Sequence, residues 1–202
     1  MGHVRRRDFL ARFGGSAAVA VLPASAFRPT SATAQIAAPP KGSSVHFALT
    51  ATDGTAVTEE SYRGKWLAIY FGYTFCPDIC PTTMMELAQA FRALGQRAAA
   101  VRAVFVTVDP QRDKPDVLAE YLRTFDQRFV GLTGTSAQIS AAAKSLNVFY
   151  ERNDTDDGSY TYDHSSYIYL IDPGGKLAEA LSSDRGSEQI ATALLTLMSG
   201  TR

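Results

Sequence analysis

The sequence predicts an α/β domain with a mixed β-sheet, and three observations support this fold class. Two continuous apolar runs, residues 65–73 and 101–109, have strand length and are typical of strands buried on both faces. A segment with helical apolar spacing separates them, which makes a strand–helix–strand unit. The segments "SSYIYLIDPGGKLAEAL" and "SEQIATALLTLM" near the end of the chain indicate a hairpin and a closing helix. Helical crossovers and tight turns in one chain give a sheet of mixed strand direction.

The remaining elements follow from local patterns in chain order. Residues 44–57 ("SVHFALTATDGTAV") indicate two short strands joined by an Asp53-Gly54 turn, so we expect an N-terminal β-hairpin. Apolar residues at helical spacing follow the cysteine segment and predict a helix ending near Gly95: Met84, Leu87, Phe91 and Leu94.

Two further helices are predicted in the middle of the chain. Proline is favoured in a first helical turn, so a helix is expected to begin near Pro115. Its buried side is predicted to carry five apolar residues: Val117, Leu118, Tyr121, Leu122 and Phe125. Residues 136–146 ("SAQISAAAKSL") predict the next helix.

The N-terminal segment is predicted to be an export signal. It has a basic start, and residues 6–10 ("RRDFL") resemble the twin-arginine export motif of bacteria. A weakly apolar stretch at residues 13–22 follows, well short of the roughly 20 residues that cross a bilayer. Small residues then offer cleavage sites after Ala26 or Ala34. No cysteine lies beside either site, which excludes a lipid anchor there. We therefore expect a periplasmic protein, and an uncleaved leader acting as an anchor stays open.

Composition sets the domain boundaries and limits the partners. We predict a signal peptide at residues 1–34, a linker at residues 35–44 and one domain at residues 45–202. Twenty basic and twenty acidic residues cancel, so no charge excess points to nucleic acid. Membrane contact is expected only through a partner protein.

The chain's two cysteines, Cys76 and Cys80, lie in "FGYTFCPDICPTTM", between a buried strand and a helix. Unpaired N–H groups at a helix start stabilise a thiolate. If residues 76–80 turn helically, the two side chains share one face about 5–6 Å apart. This spacing permits a shared metal ion or a disulfide. A purely structural disulfide is disfavoured, because a loop this short constrains few unfolded conformations.

Two thiolates alone are an incomplete metal site, and a histidine is the natural third ligand. His3 lies in the predicted signal, and His46 lies near the first strand, where a structural role is expected. His164, in "TYDHSSYIYLID", directly precedes a predicted strand and follows the acidic turn "NDTDDGS". Loops at strand ends of α/β sheets often carry sites. Two thiolates and one imidazole suit Cu(I) and also Cu(II), whereas zinc prefers a fourth ligand.

With these three residues the chain resembles the SCO/SenC family of copper-binding, thioredoxin-like proteins, over about residues 45–198. Four segments carry the resemblance: "FGYTFCPDICPTT", "VTVDPQRDKPDVLAEYLRTF", "GLTG" at 131–134, and "DHS" at the histidine. The resemblance implies a thioredoxin-like fold in which Cys76, Cys80 and His164 bind copper. It also implies copper delivery to the binuclear copper site of cytochrome c oxidase, or thiol reduction of that site before metallation.

Three functions are compatible with this reading. A copper chaperone without turnover chemistry is favoured, because it accounts for His164. A periplasmic thiol–disulfide reductase would use the redox-active Cys76–Cys80 pair as catalytic residues and a thiol reductant protein as partner. In that case His164 would be dispensable. A peroxiredoxin-like peroxidase, with Thr74 before the cysteine, is disfavoured by two ligand-spaced thiols. The receiving protein would be a copper-receiving subunit of cytochrome c oxidase or another periplasmic copper protein.

Four aspartates near these motifs are secondary candidates. Asp78 lies between the cysteines and Asp163 lies beside the histidine, so both could orient ligands. A helix-start role is an equal alternative for Asp78. Asp109 and Asp113 belong to the second family-like segment, where turn and capping roles are at least as well supported. Many family members are membrane-bound, and the cleavable leader predicted here departs from that pattern.

Overall fold

The computed structural model describes residues 37–200. The predicted signal peptide, and the cleavage sites within it, lie outside the described residues. The described part contains nine strands and four α-helices: β1 (Ala48–Ala51), β2 (Ala56–Thr58), β3 (Trp66–Gly72), α1 (Ile79–Ala93), β4 (Val101–Thr107), α2 (Pro115–Arg123), β5 (Val130–Thr133), α3 (Ser136–Ser145), β6 (Tyr150–Asp154), β7 (Tyr160–His164), β8 (Tyr167–Ile171), β9 (Leu177–Ser182) and α4 (Ser187–Gly200).

Seven of these strands form one mixed sheet in the order β2-β1-β5-β4-β3-β8-β9. Strands β3, β4 and β5 run parallel, and the hairpins β1–β2 and β8–β9 add antiparallel pairs at the two sides. Strands β6 and β7 form a separate two-stranded sheet. The predicted α/β class, the mixed sheet and the N-terminal hairpin are confirmed.

Strand β3 lies inside the sheet, between β4 and β8, and every one of its residues is buried. Successive side chains of a strand point to opposite faces, and the apolar run of β3 therefore supplies two cores. One face packs against α1, α2 and α4, through Trp66, Ala68 and Tyr70. The other face packs against α3 and β1, through Leu67, Ile69 and Phe71. Burial of each large apolar side chain stabilises the folded state by about 1.5–3 kcal/mol.

Three features differ from the sequence prediction. Strand β5 was not predicted, since it has four residues and Gly131 weakens its strand pattern. Strands β6 and β7 were not predicted either, because their polar residues resemble a long loop around the acidic turn. Val117 is exposed rather than on the buried side of α2. It lies about 100° around the helix from Leu118, toward solvent.

The segment before β1 makes backbone contacts with the β8–β9 turn. The Gly42 N–H donates to the Leu177 carbonyl over 2.7 Å, and the Leu177 N–H donates to the Ser43 carbonyl over 2.9 Å. The boundary predicted at residue 45 stays a prediction. Within residues 37–200, no helix combines the length and apolar character that a membrane-spanning segment requires.

Candidate metal centre

The two cysteines lie at the carboxyl end of β3, where the chain turns into α1. Cys76 lies in the connecting loop and is half-buried, and its N–H donates to the Tyr73 carbonyl over 3.2 Å. Cys80 is the second residue of α1 and is fully buried. Both are free thiols. The two sulfurs therefore differ in exposure although they are only four residues apart.

His164, the last residue of β7, reaches the same place from a distant part of the chain. Its Nε2 lies 3.3 Å from the Cys80 Sγ, across a separation of 84 residues. The ligand atoms of Cys76, Cys80 and His164 all lie within 4.8 Å of one another. The structure thus brings together the three residues that the sequence predicted as ligands. His46 lies elsewhere, paired with Glu59 over 2.8 Å.

The backbone selects the histidine tautomer that a metal needs. His164 Nδ1 lies 3.1 Å from the Ser165 carbonyl oxygen, which can only accept a hydrogen bond. Nδ1 therefore carries the proton, and Nε2 keeps its lone pair toward the thiols. The sequence suggested Asp163 for this role, but Asp163 is exposed and alternates with His164 along β7. The Ser165 carbonyl has no sequence signal, since every residue carries one.

Asp78 does not cap α1 with its side chain, although it occupies the N-cap position. Its side chain is exposed, so the predicted ligand-orienting role has no contact to support it. Its backbone N–H instead bonds to the Cys76 sulfur and lowers the pKa of that thiol. The carbonyl of Asp78 accepts from the Thr82 hydroxyl over 3.0 Å.

The two thiols share their proton unequally. A hydrogen bond from the Cys80 thiol lowers the pKa of Cys76 well below its usual range, and the backbone N–H of Asp78 acts the same way. Donation of that hydrogen bond, together with burial, raises the pKa of Cys80. The reduced pair is therefore a Cys76 thiolate beside a Cys80 thiol.

Aromatic side chains surround the sulfurs and the imidazole. The Tyr70 hydroxyl lies 3.9 Å from the Cys80 Sγ, and Tyr70 is fully buried. The rings of Tyr70 and Tyr73 each meet the His164 ring edge-on at 6.0 Å. A cavity of about 370 Å³ opens beside Cys76 and His164. Cys80 does not line that cavity, so it lies behind the other two donors.

The family model for SCO1/SenC proteins matches residues 37–199. The chain belongs to the SCO1/SenC family. The SCO2-like protein of Rickettsia felis is 40% identical over 146 residues, which span 71% of this chain and 71% of that protein. The mitochondrial protein SCO2 homolog of Homo sapiens is 38% identical over 152 residues, spanning 74% of this chain and 57% of the human protein.

A solved structure of Bradyrhizobium japonicum ScoI with copper bound is similar to this SCO1/SenC chain. The two are 40% identical, with a TM-score of 0.70, over 76% of this chain and 98% of the other. The thioredoxin-like fold expected from the resemblance is therefore confirmed. The relatives of this SCO1/SenC chain include bacterial and mitochondrial proteins.

The segment "VTVDPQRDKP" of this family member contributes two buried carboxylates, and Asp109 also has the predicted turn role, since its carboxylate accepts from the Arg112 N–H over 3.4 Å. Asp113 accepts from the Thr74 N–H over 3.0 Å, from the Thr74 hydroxyl over 2.6 Å and from the Thr107 hydroxyl over 2.6 Å. Burial raises the pKa of Asp113. Asp113 thereby ties the loop before Cys76 to the end of β4. Asp109 is equally buried and pairs with Arg112. Sequence analysis singled out neither contact.

Proposed function

We propose that this protein is a copper chaperone that binds copper through Cys76, Cys80 and His164. The observation that carries the proposal is the convergence of two thiol sulfurs and one unprotonated imidazole nitrogen within 4.8 Å. The copper bound to the similar Bradyrhizobium protein supports the same metal. The receiving partner is the binuclear copper site of cytochrome c oxidase, or another periplasmic copper protein.

The chemistry of the donor set suits copper in both oxidation states. Cu(I) prefers soft thiolates, and two of them form a sufficient site. Cu(II) prefers more donors and gains more from nitrogen. Copper displaces the proton that the Cys80 thiol retains, so uptake releases a proton and weakens as the pH falls.

The unequal burial of the three metal ligands suits a protein that must release its copper to a partner. Cys76 and His164 line the open cavity, whereas Cys80 lies behind them. Ligands of a receiving protein therefore meet Cys76 and His164 first, and the metal remains held by Cys80 until it is transferred. Contact with the membrane occurs through that partner, and an exported, periplasmic location follows from the predicted leader.

A thiol–disulfide reductase is the second candidate, and the low pKa of Cys76 favours it. A half-exposed thiolate attacks a disulfide of the partner and forms a mixed disulfide, releasing one partner thiolate. Cys80 then loses its proton and attacks Cys76. This releases the second partner thiolate and leaves the Cys76–Cys80 disulfide. A protein dithiol reduces that disulfide again.

Copper titration of the reduced, purified protein distinguishes the two functions. His164→Ala should lose or strongly shift the sulfur-to-copper charge-transfer absorption of Cu(II), while Cu(I) competition assays should show a smaller loss. Cys76→Ser and Cys80→Ser should weaken binding of both oxidation states. His46→Ala is the matched control, because His46 lies outside the site.

The second part of the test measures copper transfer to a receiving protein. The copper-loaded protein is mixed with the apo copper-binding domain of a cytochrome c oxidase subunit, and the binuclear copper absorption is followed. Formation of that absorption supports the chaperone. A Cu(II) spectrum unchanged in His164→Ala, together with rapid reduction of the partner's disulfide by the metal-free protein, would favour the reductase.

A further inference from the structure

The hairpin β6–β7 carries His164 but shares no strand pairing with the seven-stranded sheet of the described chain. Its two strands pair only with each other, in a register that ends at Tyr150 and His164. The backbone fixes only the base of the hairpin, because His164 lies three residues before β8, which pairs with β3, and the Ser166 carbonyl accepts from the Ser183 N–H over 2.8 Å. Side-chain contacts between the hairpin and the rest of the domain hold the remainder of β7.

Arg112 provides the densest of these contacts. Its Nη1 donates to the Tyr160 carbonyl over 3.0 Å, and its guanidinium carbon lies 3.7 Å from the centre of the Tyr160 ring. Asp109 accepts from the Nε of Arg112 and from the Tyr160 hydroxyl, the latter over 3.1 Å. Tyr160, the first residue of β7, is thus bound through its backbone, its ring and its hydroxyl.

The same guanidinium also contacts the loop that carries the cysteines. It lies 4.8 Å from the centre of the Phe75 ring and 5.8 Å from that of Tyr73. The Arg112 side chain is only 20% exposed, and the Asp109 side chain is fully buried. Burial strengthens ion pairs and cation–π contacts, because little water competes for the charges. Arg112 therefore touches both segments that supply ligand atoms.

We propose that Arg112 is a positioning residue that holds the His164 hairpin against the cysteine loop. Asp109 orients the Arg112 guanidinium, and Tyr160 is the hairpin residue that this guanidinium contacts. The consequence for copper rests on the function proposed above, whereas the placement of the imidazole does not. Loss of Arg112 releases the hairpin, and the imidazole nitrogen then spends less time beside the Cys80 sulfur.

Arg152 offers a matched control on the same tyrosine ring. Its guanidinium carbon lies 3.8 Å from the centre of the Tyr160 ring. Its ion-pair partner Asp154 belongs to the hairpin, and its side chain is 44% exposed. Arg152→Ala therefore removes one arginine and one ring contact without removing a link to the domain body.

The copper arm of the experiment compares wild type, Arg112→Ala and Arg152→Ala. Arg112→Ala should bind Cu(II) about 10–100-fold more weakly, the usual cost of losing a group that orients a ligand. Its charge-transfer absorption should shift toward that of His164→Ala. Cu(I) affinity should change much less, because both thiolates remain. Arg152→Ala should match wild type in all three measurements.

A metal-free arm keeps the inference testable if the wild type takes up no copper. NOEs between the His164 ring and the rings of Tyr70 and Tyr73 report the position of the imidazole. They should be present in wild type and Arg152→Ala, and lost or weakened in Arg112→Ala. The inference is overturned if Arg112→Ala keeps the wild-type NOEs, or if Arg152→Ala loses them to the same extent.

Removal of Arg112 leaves the buried Asp109 carboxylate unpaired, which can unfold a small domain. Tyr160→Leu is the alternative variant, since it keeps the Arg112–Asp109 pair and removes the hydroxyl and ring contacts. Its far-UV circular dichroism should match wild type, and its NOEs should weaken as described for Arg112→Ala. Wild-type NOEs in a folded Tyr160→Leu protein would count against the inference.

Discussion

Gly72, the last residue of β3, makes room for the buried sulfur. A Cβ atom added at this position would lie 2.7 Å from the Cys80 Sγ and 3.1 Å from atoms of Phe105 and Tyr70. Contacts below 3.0 Å require movement, and both rings belong to the packed core. The position of the Cys80 sulfur therefore depends on the missing side chain of its neighbour.

Gly72→Ala should move the Cys80 sulfur and weaken copper binding, and it should also lower stability by about 1–3 kcal/mol through overpacking. Cu(I) competition and thermal unfolding measure the two effects. Gly186→Ala is the control, because the nearest atom to its added Cβ is 4.0 Å away. Wild-type copper affinity in Gly72→Ala would show that the surrounding core side chains accommodate the added Cβ atom without displacing the Cys80 sulfur.

The unequal thiol pKa values predict selective alkylation. The ordinary pKa of a cysteine thiol is about 8.5. In the reduced, metal-free protein, iodoacetamide should modify Cys76 at pH values well below this pKa, while Cys80 stays unmodified. Peptide mass spectrometry after quenching measures each site. Both residues should react alike in urea. Faster modification of Cys80 in the folded protein would contradict the assignment.

The lowered pKa of Cys76 also makes the stability of the folded protein depend on pH in a defined direction. The folded pKa of Cys76 is lowered, so its contribution to stability is fully present above the unfolded pKa of about 8.5. That contribution decreases as the pH falls toward the folded pKa. Urea unfolding of Cys76→Ser should lack this part of the pH dependence.

At the scale of elements, the loop between β3 and α1 is held by the segment after β4. Asp113 accepts three hydrogen bonds from Thr74 and Thr107, and it therefore connects two strand ends that lie side by side in the sheet. The loop is placed by this buried carboxylate as well as by α1.

Asp113→Ala should release the cysteine loop and destabilise the domain, because each buried donor left without an acceptor costs about 1–3 kcal/mol. Urea unfolding measures the loss, and the alkylation rate of Cys76 reports the loop. Asp156→Ala, at the exposed tip of the β6–β7 hairpin, is the control. Equal stability of the two variants would mean that water replaces the missing acceptor.

At the scale of the whole molecule, the segment before β1 belongs to the packing of the sheet edge. Gly42, Ser43 and Val45 exchange three backbone hydrogen bonds with Gly175 and Leu177. The predicted linker at residues 35–44 therefore overlaps a segment with defined partners.

Removal of residues 1–34 should leave the unfolding temperature unchanged, because the partners of the sheet-edge segment remain. Removal of residues 1–44 should lower stability by roughly 1–3 kcal/mol, since hydrogen bonds of about 0.5–1.5 kcal/mol each are lost. Calorimetry of the two proteins decides the point. Equal melting temperatures would show that residues 35–44 contribute nothing to the stability of the domain.

Local patterns were enough to predict the central strand, the four helices and the hairpins at both ends of the sheet. The continuous apolar run "KWLAIYFGY" predicts a strand that is buried on both faces. Apolar residues at helical spacing identify the buried face of α1. Strand β6 was missed because its charged and polar residues lack an apolar alternation, and β7 was missed because its alternation covers only five residues beside the acidic turn. Tyr160 and Tyr162 pack against Arg112 and Tyr73, and these contacts join the two strands to the rest of the domain.

The chemistry of the site can be recognised in the sequence alone: two cysteines four residues apart after a buried strand, and one histidine ahead of another strand. Side-chain identity and short-range spacing are local properties, so they can be seen in the letters. The tertiary structure decided the rest, because it depends on groups far apart in the chain. It brought His164 to Cys80 across 84 residues, and it oriented the imidazole with the Ser165 carbonyl. It placed the Cys80 thiol where it donates a hydrogen bond to the Cys76 sulfur, and this bond, together with the deeper burial of Cys80, separates the two thiol pKa values.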